Sequence, residues 1–205
     1  MSRITCKKCR RLGESLCGRE KCAYKKRPYA PGKLDSDRKH RSSTSEFGEQ
    51  LRAKQKMRIT YGLMEKQFST YVAEAMASHG KNKEVTPELS LYRILESRLD
   101  NIVFRMGLAS SRALARQLVS HGHILVNGRR LSIASHKTKI GDVISIREGS
   151  KSIKLFTSLS EKLETVKSPV WMTLDTKKAE AKLAGQPREI ETIFDYQKVL
   201  EYYSR

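Results

Sequence analysis

One stretch of the chain decides the fold: Ser111-Arg112-Ala113-Leu114-Ala115-Arg116-Gln117-Leu118-Val119-Ser120-His121-Gly122-His123-Ile124-Leu125-Val126-Asn127-Gly128. A serine, Ser110 or Ser111, precedes apolar residues at helical spacing and a glycine follows them. This pattern predicts a helix over residues 112–121 that ends at Gly122. Asn127-Gly128 then follows three strand-forming residues, and both positions of such a turn need positive φ. The stretch therefore predicts a helix followed by a tight β-hairpin.

Beyond this hairpin, short strand patterns alternate with turns. A strand is predicted over residues 143–146, after the Gly141-Asp142 turn, and a last hairpin over residues 171–175 and 179–183. The chain closes with a helix predicted over residues 190–203. Together with the first hairpin, these patterns predict a small, mostly antiparallel sheet, so the fold class is α+β.

Helical patterns precede the deciding stretch. Apolar residues alternate with charged ones at helical spacing from Glu46 to Gly80, and Pro87 begins a second run. The apolar stripe of that run continues to Met106 and stops at Gly107, which predicts one continuous helix. Residues 1–41, by contrast, combine turn formers with closely spaced charges. They predict an extended arm, followed by a linker at residues 39–45.

Positive charge dominates the composition of the 205 residues, because 41 Lys and Arg against 22 Asp and Glu give a net charge of +19. Residues 1–41 carry +10 and residues 97–157 carry +8, so nearly all of the excess lies in two blocks. Two concentrated blocks predict two contacts on a nucleic acid. No membrane partner is expected, since the first block lacks an amphipathic helix and no apolar run exceeds three residues. We expect a soluble, intracellular protein.

The four cysteines, Cys6, Cys9, Cys17 and Cys22, are spaced C-x2-C-x7-C-x4-C within the basic arm. Two close pairs across a short loop let four thiolates surround one tetrahedral ion, for which zinc is the usual choice. Four protein ligands leave no open position, so the predicted zinc is structural. An iron–sulfur cluster takes the same ligands and is the alternative metal group. Four unrelated thiols, or two disulfides, are the alternative without a metal.

The second basic block predicts a cationic surface built on rigid elements. Arg112 and Arg116 are four residues apart, so they share a face of the predicted helix near the backbone N–H groups of its first turn. The hairpin adds Asn127, Arg129 and Arg130. Aromatic residues do not alternate with these cations. This argues against base stacking and for recognition of the backbone and shape of a folded RNA.

Several stretches resemble a known family. The deciding stretch, together with Ser97-Arg98-Leu99-Asp100-Asn101 and Arg105-Met106-Gly107, is similar to the RNA-binding domain named after protein four of the bacterial small ribosomal subunit. The similarity extends over essentially the whole chain through Arg27-Pro28-Tyr29-Ala30-Pro31-Gly32, Tyr61-Gly62-Leu63-Met64-Glu65-Lys66-Gln67-Phe68 and Leu200-Glu201-Tyr202-Tyr203-Ser204-Arg205. The chain is therefore identified as a member of that protein's family.

The resemblance implies a structural rRNA-binding protein and not an enzyme. Members of the family bind a helix junction in the 5′ domain of small-subunit (16S-type) rRNA and nucleate assembly of the subunit body. They contact protein five at an interface that affects decoding accuracy. With proteins three and five they line the channel through which mRNA enters. The implied location is the cytoplasm, within the small ribosomal subunit.

The resemblance also implies a domain organisation. The basic arm and linker occupy residues 1–45, an α-helical domain occupies residues 46–95 plus 188–205, and an inserted RNA-binding domain occupies residues 96–187. The loop between Cys9 and Cys17 is shorter than in four-cysteine members, which leaves the identity of the metal open, and many relatives lack the cysteines. The predicted RNA contacts are Lys7, Lys8, Arg10, Arg11, Arg27, Tyr29, Lys33, Arg41, Arg52, Arg58, Arg98, Ser111, Arg112, Arg116, Gln117, His121, Asn127, Arg129 and Arg130.

Two other functions share some of these features. The same RNA-binding domain occurs in pseudouridine synthases and tyrosyl-tRNA synthetases, so an RNA-modifying enzyme is one alternative. A DNA-binding regulator with a zinc arm is the other. No catalytic residues are predicted, because the five histidines are scattered and neither a phosphate-cradling glycine loop nor a nucleophile motif occurs.

Overall fold

The structure is a computed structural model that describes residues 5–17, 20–32, 44–81, 85–153, 156, 168–176, 178–188, 190 and 193–205. The chain divides into two compact units, Met1–Lys81 with Glu191–Arg205, and Asn82–Ile190. The second unit includes the helix Pro87–Glu96, which we predicted in the α-helical domain. One of its contacts within the second unit is the hydrogen bond that Arg93 Nε donates to the carbonyl of Pro187 at 3.2 Å.

The first unit is helical where it is described. Its helices are α1 (Cys6–Leu12), α2 (Ala23–Lys26), α3 (Glu46–Thr60), α4 (Glu65–Lys81) and, at the end of the chain, α8 (Tyr196–Ser204). Ser45 begins α3, because its side chain accepts a hydrogen bond from Gly48 N. Asp195 caps α8 in the same way, by accepting from Lys198 N. This cap explains why the last helix begins later than the predicted residue 190.

Apolar side chains of α3, α4 and α8 form the core of the first unit. Met57, Phe68 and Val199 are fully buried, and the ring of Tyr61 packs against that of Phe194 at a centroid distance of 5.7 Å. Removal of this surface from water is the main favourable contribution to packing the helices together.

The helices of the second unit are α5 (Pro87–Glu96), α6 (Leu99–Arg105) and α7 (Arg112–Ser120), with a 3-10 helix at Glu148–Ser150. The single helix predicted up to Met106 is wrong, because Ser97 and Arg98 separate α5 from α6. Arg98 is extended, with φ −69° and ψ 135°, and forms an isolated antiparallel bridge with Lys137. Thr138 N and Oγ1 both donate to the carbonyl of Ser97 at 2.9 Å. A partner 41 residues away in the sequence therefore replaces the helical hydrogen bonds at this position.

The sheet of the second unit has five antiparallel strands in the order β2-β1-β3-β5-β4. Asn127 and Gly128 have φ of 51° and 76°, which confirms the tight turn between the first two strands. The predicted last hairpin is also present, and it joins the same sheet beside the central strand. The strands are β1 (Ile124–Val126), β2 (Arg129–Arg130), β3 (Val143–Ile146), β4 (Met172–Asp175) and β5 (Glu180–Leu183).

One face of this sheet packs against α6 and α7 to form the core of the second unit. Ile124 and Ile144 contribute from the sheet, and Ile102 and Val119 contribute from the two helices, all of them fully buried. The prediction of an α+β fold with a small, mostly antiparallel sheet is confirmed. Among the described residues, none of the helices combines the length and the apolar character that crossing a membrane requires.

Candidate RNA-binding surface and metal centre

Helix α7 presents its polar side opposite the core. Ser111 Oγ accepts a hydrogen bond from Leu114 N at 3.3 Å and begins the helix, as predicted. Ala115, Leu118 and Val119 are buried, while Gln117 is exposed. Arg112 and Arg116 are half-buried on the polar side. The apolar spacing therefore fixes which way the two predicted arginines face.

Both arginines interact with residues of the first turn of α6. Asn101 Oδ1 accepts a hydrogen bond from Arg112 Nε at 2.8 Å, and the Arg112 guanidinium lies 4.4 Å from the centroid of the Phe104 ring. Arg116 Nη1 lies 3.7 Å from Asp100 Oδ2. Arg112 and Arg116 are thus held in place by Asn101 and Asp100, two residues that were not among the predicted RNA contacts.

These two residues belong to a set of ion-paired and hydrogen-bonded residues, all buried except the half-buried Arg105, that we call the polar network: Glu96, Arg98, Asp100, Asn101 and Arg105. Asp100 binds Arg98 through both carboxylate oxygens, at 3.0 Å from Nε and 2.7 Å from Nη2. Glu96 binds Arg105 in the same forked manner, at 2.9 and 3.0 Å. Asn101 Nδ2 donates to Glu96 Oε2 at 2.9 Å. Every member therefore has a charged or amide partner, as buried polar groups require.

Arg98, predicted as an RNA contact, is buried in the structure. Its side chain is 1% exposed and is bound to Asp100, so it compensates a buried carboxylate instead of facing the surface. The sequence carried a signal for this arrangement. Three charged or amide residues, Arg98, Asp100 and Asn101, interrupt an otherwise apolar stripe, where an unpaired charge would be costly.

The hairpin extends the cationic surface. Arg129 and Arg130 are exposed, and Arg130 Nη2 donates to the carbonyl of His121 at 3.4 Å. The Arg130 guanidinium covers Gly122, whose φ of +74° and lack of a Cβ leave the space it occupies. His121 is exposed at the same place, with its ring centroid 6.0 Å from that of His123.

Asn127 supports this hairpin. Its Nδ2 donates to Asp142 Oδ1 at 2.8 Å, and its Oδ1 accepts from Val143 N at 2.9 Å. Asp142 Oδ2 in turn accepts from Lys139 N at 2.7 Å. Both ends of the Asn127 amide are engaged within the protein, so the predicted RNA contact also fixes the turn.

In the arm, Arg10 organises the segment that follows α2. Its Nε donates to the carbonyl of Tyr29 at 3.0 Å and its Nη2 to that of Ala30 at 3.4 Å. The guanidinium also lies 4.7 Å from the centroid of the Tyr29 ring. Lys7, Arg11 and Arg27 are exposed, and Lys8 is half-buried. The predicted contacts Lys33 and Arg41, and most of the predicted linker, lie outside the described residues.

The remaining predicted contacts are on α3. Arg52 is exposed. Arg58 is half-buried and donates to Gln55 Oε1 at 2.7 Å, and its Nε lies 3.2 Å from Glu65 Oε2. The structure therefore pairs Arg58 internally and leaves Arg52 at the surface.

Three of the four cysteines converge in the arm. The Sγ atoms of Cys6, Cys17 and Cys22 lie within 4.8 Å of one another. Cys9 is buried, with its thiol against that of Cys17, and all four thiols are unbridged. Burial raises the pKa of Cys9 to about 11, whereas a hydrogen bond from Ser15 lowers the pKa of Cys22 to about 6. Three converging thiols with a fourth beside them fit the donor set of a tetrahedral metal.

Comparison with known proteins gives a consistent result over the whole chain. Residues 2–96 match the family model of the ribosomal protein S4/S9 N-terminal domain, and residues 97–144 match that of the S4 domain. Small ribosomal subunit protein uS4 of Natranaerobius thermophilus is 42% identical over 208 residues, which cover 98% of this chain and 96% of that protein. The uS4 proteins of Pediococcus pentosaceus and Dehalococcoides mccartyi are 45% and 42% identical, over 96% and 100% of this chain and 94% and 100% of their own lengths.

Proposed function

The chain belongs to the family of small ribosomal subunit protein uS4, and from this membership we propose that it is a structural, rRNA-binding component of the small ribosomal subunit. Its relatives are ribosomal structural proteins, so the chain is not an enzyme. The proposed location is the cytoplasm, where ribosomes assemble and work. The single observation that carries RNA binding is the pair Arg112 and Arg116 on α7, held by Asn101 and Asp100 beside the exposed hairpin arginines.

The chemistry of this surface suits the sugar–phosphate backbone of a folded RNA. Arginine binds phosphate through several N–H donors in a planar fork. The first turn of α7 adds backbone N–H groups and the positive end of a helix dipole. The cations lie on a helix that packs against the core and on a hairpin that the hydrogen bonds of Asn127 stabilise. Their spacing is therefore fixed before RNA binds. A rigid pattern of this kind selects RNA shape more than base sequence.

Binding to an RNA fragment that contains the 5′-domain junction of 16S-type rRNA tests this proposal. Arg112→Ala and Arg116→Ala should each weaken binding by about 1 kcal/mol or more, because each removes a charge-assisted contact. Lys178→Ala is the matched control, since it removes an exposed cation of the same unit from the β4–β5 hairpin. Equal affinity of all four proteins would remove α7 from the interface. Duplex DNA as a competitor at the same salt concentration distinguishes an rRNA-binding protein from a DNA-binding regulator.

The cysteine cluster supports a second part of the proposal, a structural metal in the arm. Cys6, Cys17 and Cys22 would hold it with Cys9 as the fourth ligand, and zinc is the expected ion, with an iron–sulfur cluster as the alternative. The bound group would supply cross-linking in a segment with little apolar core. Elemental analysis of the purified protein tests this: about one zinc per chain is expected, or the two or four iron atoms of an iron–sulfur cluster. Four free thiols without either metal would contradict it.

Within the ribosome we further propose the roles that the family resemblance implies. These are nucleation of the subunit body, contact with ribosomal proteins five and three, and a place along the channel through which mRNA enters. Proximity cross-linking in assembled subunits tests the protein contacts, and reconstitution with and without this protein tests nucleation. Assembly of the 5′ domain at an unchanged rate without the protein would contradict the nucleating role.

A further inference from the structure

We propose that Asn101 and Asp100 are positioning residues for RNA recognition, which orient the guanidinium groups of Arg112 and Arg116 before RNA binds. The inference rests on the proposed function of α7 as an RNA-contacting helix. It goes beyond that function by assigning part of the affinity to buried side chains that do not themselves reach the surface.

Asn101 is 1% exposed, and its amide has a fixed direction. Its Nδ2 faces the Glu96 carboxylate at 2.9 Å, so its Oδ1 faces Arg112 Nε at 2.8 Å. The opposite orientation would place an amide oxygen against a carboxylate and an amide N–H₂ against a guanidinium. Glu96 cannot turn away, because Arg105 binds both of its oxygens. The orientation of Arg112 is therefore set by a chain of contacts that begins at Arg105.

Asp100 acts on Arg116 differently. Both of its oxygens already accept short hydrogen bonds from Arg98, at 3.0 and 2.7 Å. Arg116 Nη1 lies 3.7 Å away, which is beyond hydrogen-bonding distance. The carboxylate thus attracts Arg116 through charge without occupying its N–H donors. Since Arg98 also binds Asp100, the three side chains together keep one net positive charge for a phosphate.

This arrangement has an energetic advantage over isolated surface arginines. A long, freely rotating side chain loses conformational entropy when it binds a phosphate, and that loss subtracts from affinity. A guanidinium that is already oriented loses less. Removal of the support should therefore weaken RNA binding even though no direct contact is removed.

A double-mutant cycle on the full chain tests the role of Asn101. With the 5′-domain rRNA fragment as probe, Asn101→Ala and Arg112→Ala should each weaken binding by about tenfold, and the double variant should bind no more weakly than Arg112→Ala. A loss from Asn101→Ala that is the same in the Arg112→Ala background would show a general structural role and overturn the inference. Normal binding by Asn101→Ala, with weakened binding by Arg112→Ala, would overturn it as well and leave the proposed function intact. Unchanged binding by both arginine variants would overturn the proposed function and, with it, the inference.

The salt dependence of binding separates positioning from the loss of a phosphate contact. Arg112→Ala should lower the slope of log affinity against log salt by about 0.7–0.9, the value of one phosphate contact. Asn101→Ala should weaken binding at an unchanged slope, because Arg112 keeps its charge and its phosphate. Thr138→Val is the matched control, since it removes another buried hydrogen bond of this unit, to Ser97, and touches neither arginine. Should Asn101→Ala fail to fold, Arg112→Lys keeps the charge at a half-buried position and loses the Nε contact. Wild-type affinity of Arg112→Lys would overturn the inference, and a loss close to that of Arg112→Ala supports it.

Asp100→Asn gives a second test, because the two explanations predict opposite changes in RNA affinity. Removal of a negative charge beside a polyanion site should tighten binding if charge alone matters. Positioning predicts the reverse, a several-fold weakening that disappears in the Arg116→Ala background. Tighter binding by folded Asp100→Asn would therefore overturn the role assigned to Asp100.

Discussion

At the scale of single residues, one side chain can serve both the fold and the RNA. Asn127 adopts φ of 51°, a left-handed conformation that asparagine tolerates better than most residues. Its amide joins the turn to Asp142 and to the start of β3. Arg10 is comparable, because its guanidinium is bound to the carbonyls of Tyr29 and Ala30. Polar residues that sequence reasoning assigns to RNA can therefore act by holding their neighbours.

Replacement of Asn127 by alanine separates these two roles. Asn127→Ala should lower the free energy of unfolding by about 1–3 kcal/mol, because it removes two hydrogen bonds and places at positive φ a residue that tolerates this conformation less well than asparagine. RNA affinity should fall with it, as the hairpin arginines lose their fixed spacing. Urea denaturation and RNA titration of the same samples measure both effects. Arg129→Ala is the control, with weaker RNA binding at unchanged stability. An Asn127→Ala protein of wild-type stability that binds RNA poorly would make Asn127 a direct contact only.

Replacement of Cys9 tests whether this buried residue of the arm is also a metal ligand. It is the buried residue of α1, and its thiol interacts with that of Cys17, one of the three thiols that converge. Cys9→Ser should lower the bound metal from about one equivalent toward zero and expose the arm to trypsin, since a hydroxyl is a poor zinc ligand. Helices α3 and α4 should remain resistant to cleavage. Metal analysis with limited proteolysis measures this outcome. Thr5→Ala is the control, because it changes an exposed arm residue that makes no cap hydrogen bond and leaves every trypsin site in place. Unchanged metal content and cleavage in Cys9→Ser would exclude Cys9 from the site.

At the scale of elements, local signals predicted what local contacts determine. The Ser111 cap and the Asn127-Gly128 turn were predictable, because each signal acts within four residues of its own position. The break between α5 and α6 was not, since its hydrogen bonds come from residues 136–138. The direction of the Arg98 side chain depended on the same distant packing. The sequence shows where the cations are, but which group each of them binds depends on the tertiary structure.

The closing helix α8 shows how such distant partners hold an element. Tyr203 Oη donates to Glu65 Oε1 at 2.7 Å, and Lys54 Nζ contacts the same oxygen at 2.7 Å. Lys54, which is buried, also lies 4.3 Å from the centroid of the Tyr202 ring. Burial acts to raise the pKa of Glu65, but the hydrogen bonds from Lys54 and Tyr203 outweigh it and leave that pKa below its usual value. The ionised carboxylate therefore joins three helices.

The attachment of α8 should consequently depend on pH. Because the pKa of Glu65 is lower in the folded than in the unfolded chain, its stabilisation is present above about pH 4.3 and is lost as pH falls through the folded-state value. Thermal unfolding at pH 7 should show a lower midpoint for Glu65→Gln than for the wild type, and the gap should narrow at pH 3. Glu148→Gln, at a carboxylate that is 92% exposed, is the control and should show no such change. A gap of constant size would contradict the prediction.

At the scale of the whole molecule, charge distribution predicted function better than it predicted shape. The excess of +19 follows from the composition and its two blocks from the sequence, and both indicate a polyanion partner before any fold is known. The order of strands could not be read in this way. Placement of β5 beside β3 depends on the pairing of Val143 with Lys182 across a long connection. The two blocks of charge lie in two separate compact units, each with its own supporting contacts.

This separation leads to a prediction about how the two blocks contribute to RNA binding. Substitutions in different units without shared partners should add in free energy. A variant with Lys7→Ala and Arg11→Ala in the arm, combined with Arg116→Ala on α7, should lose affinity by the product of the separate factors. The slope of log affinity against log salt should fall by about 0.7–0.9 for each phosphate contact removed. Titration of the 5′-domain fragment between about 50 and 200 mM salt measures both quantities, with Lys178→Ala as the control of equal charge per substitution. If the arm substitutions changed neither affinity nor slope, the first basic block would have no part in binding this RNA, and α7 with its hairpin would form the whole electrostatic contact.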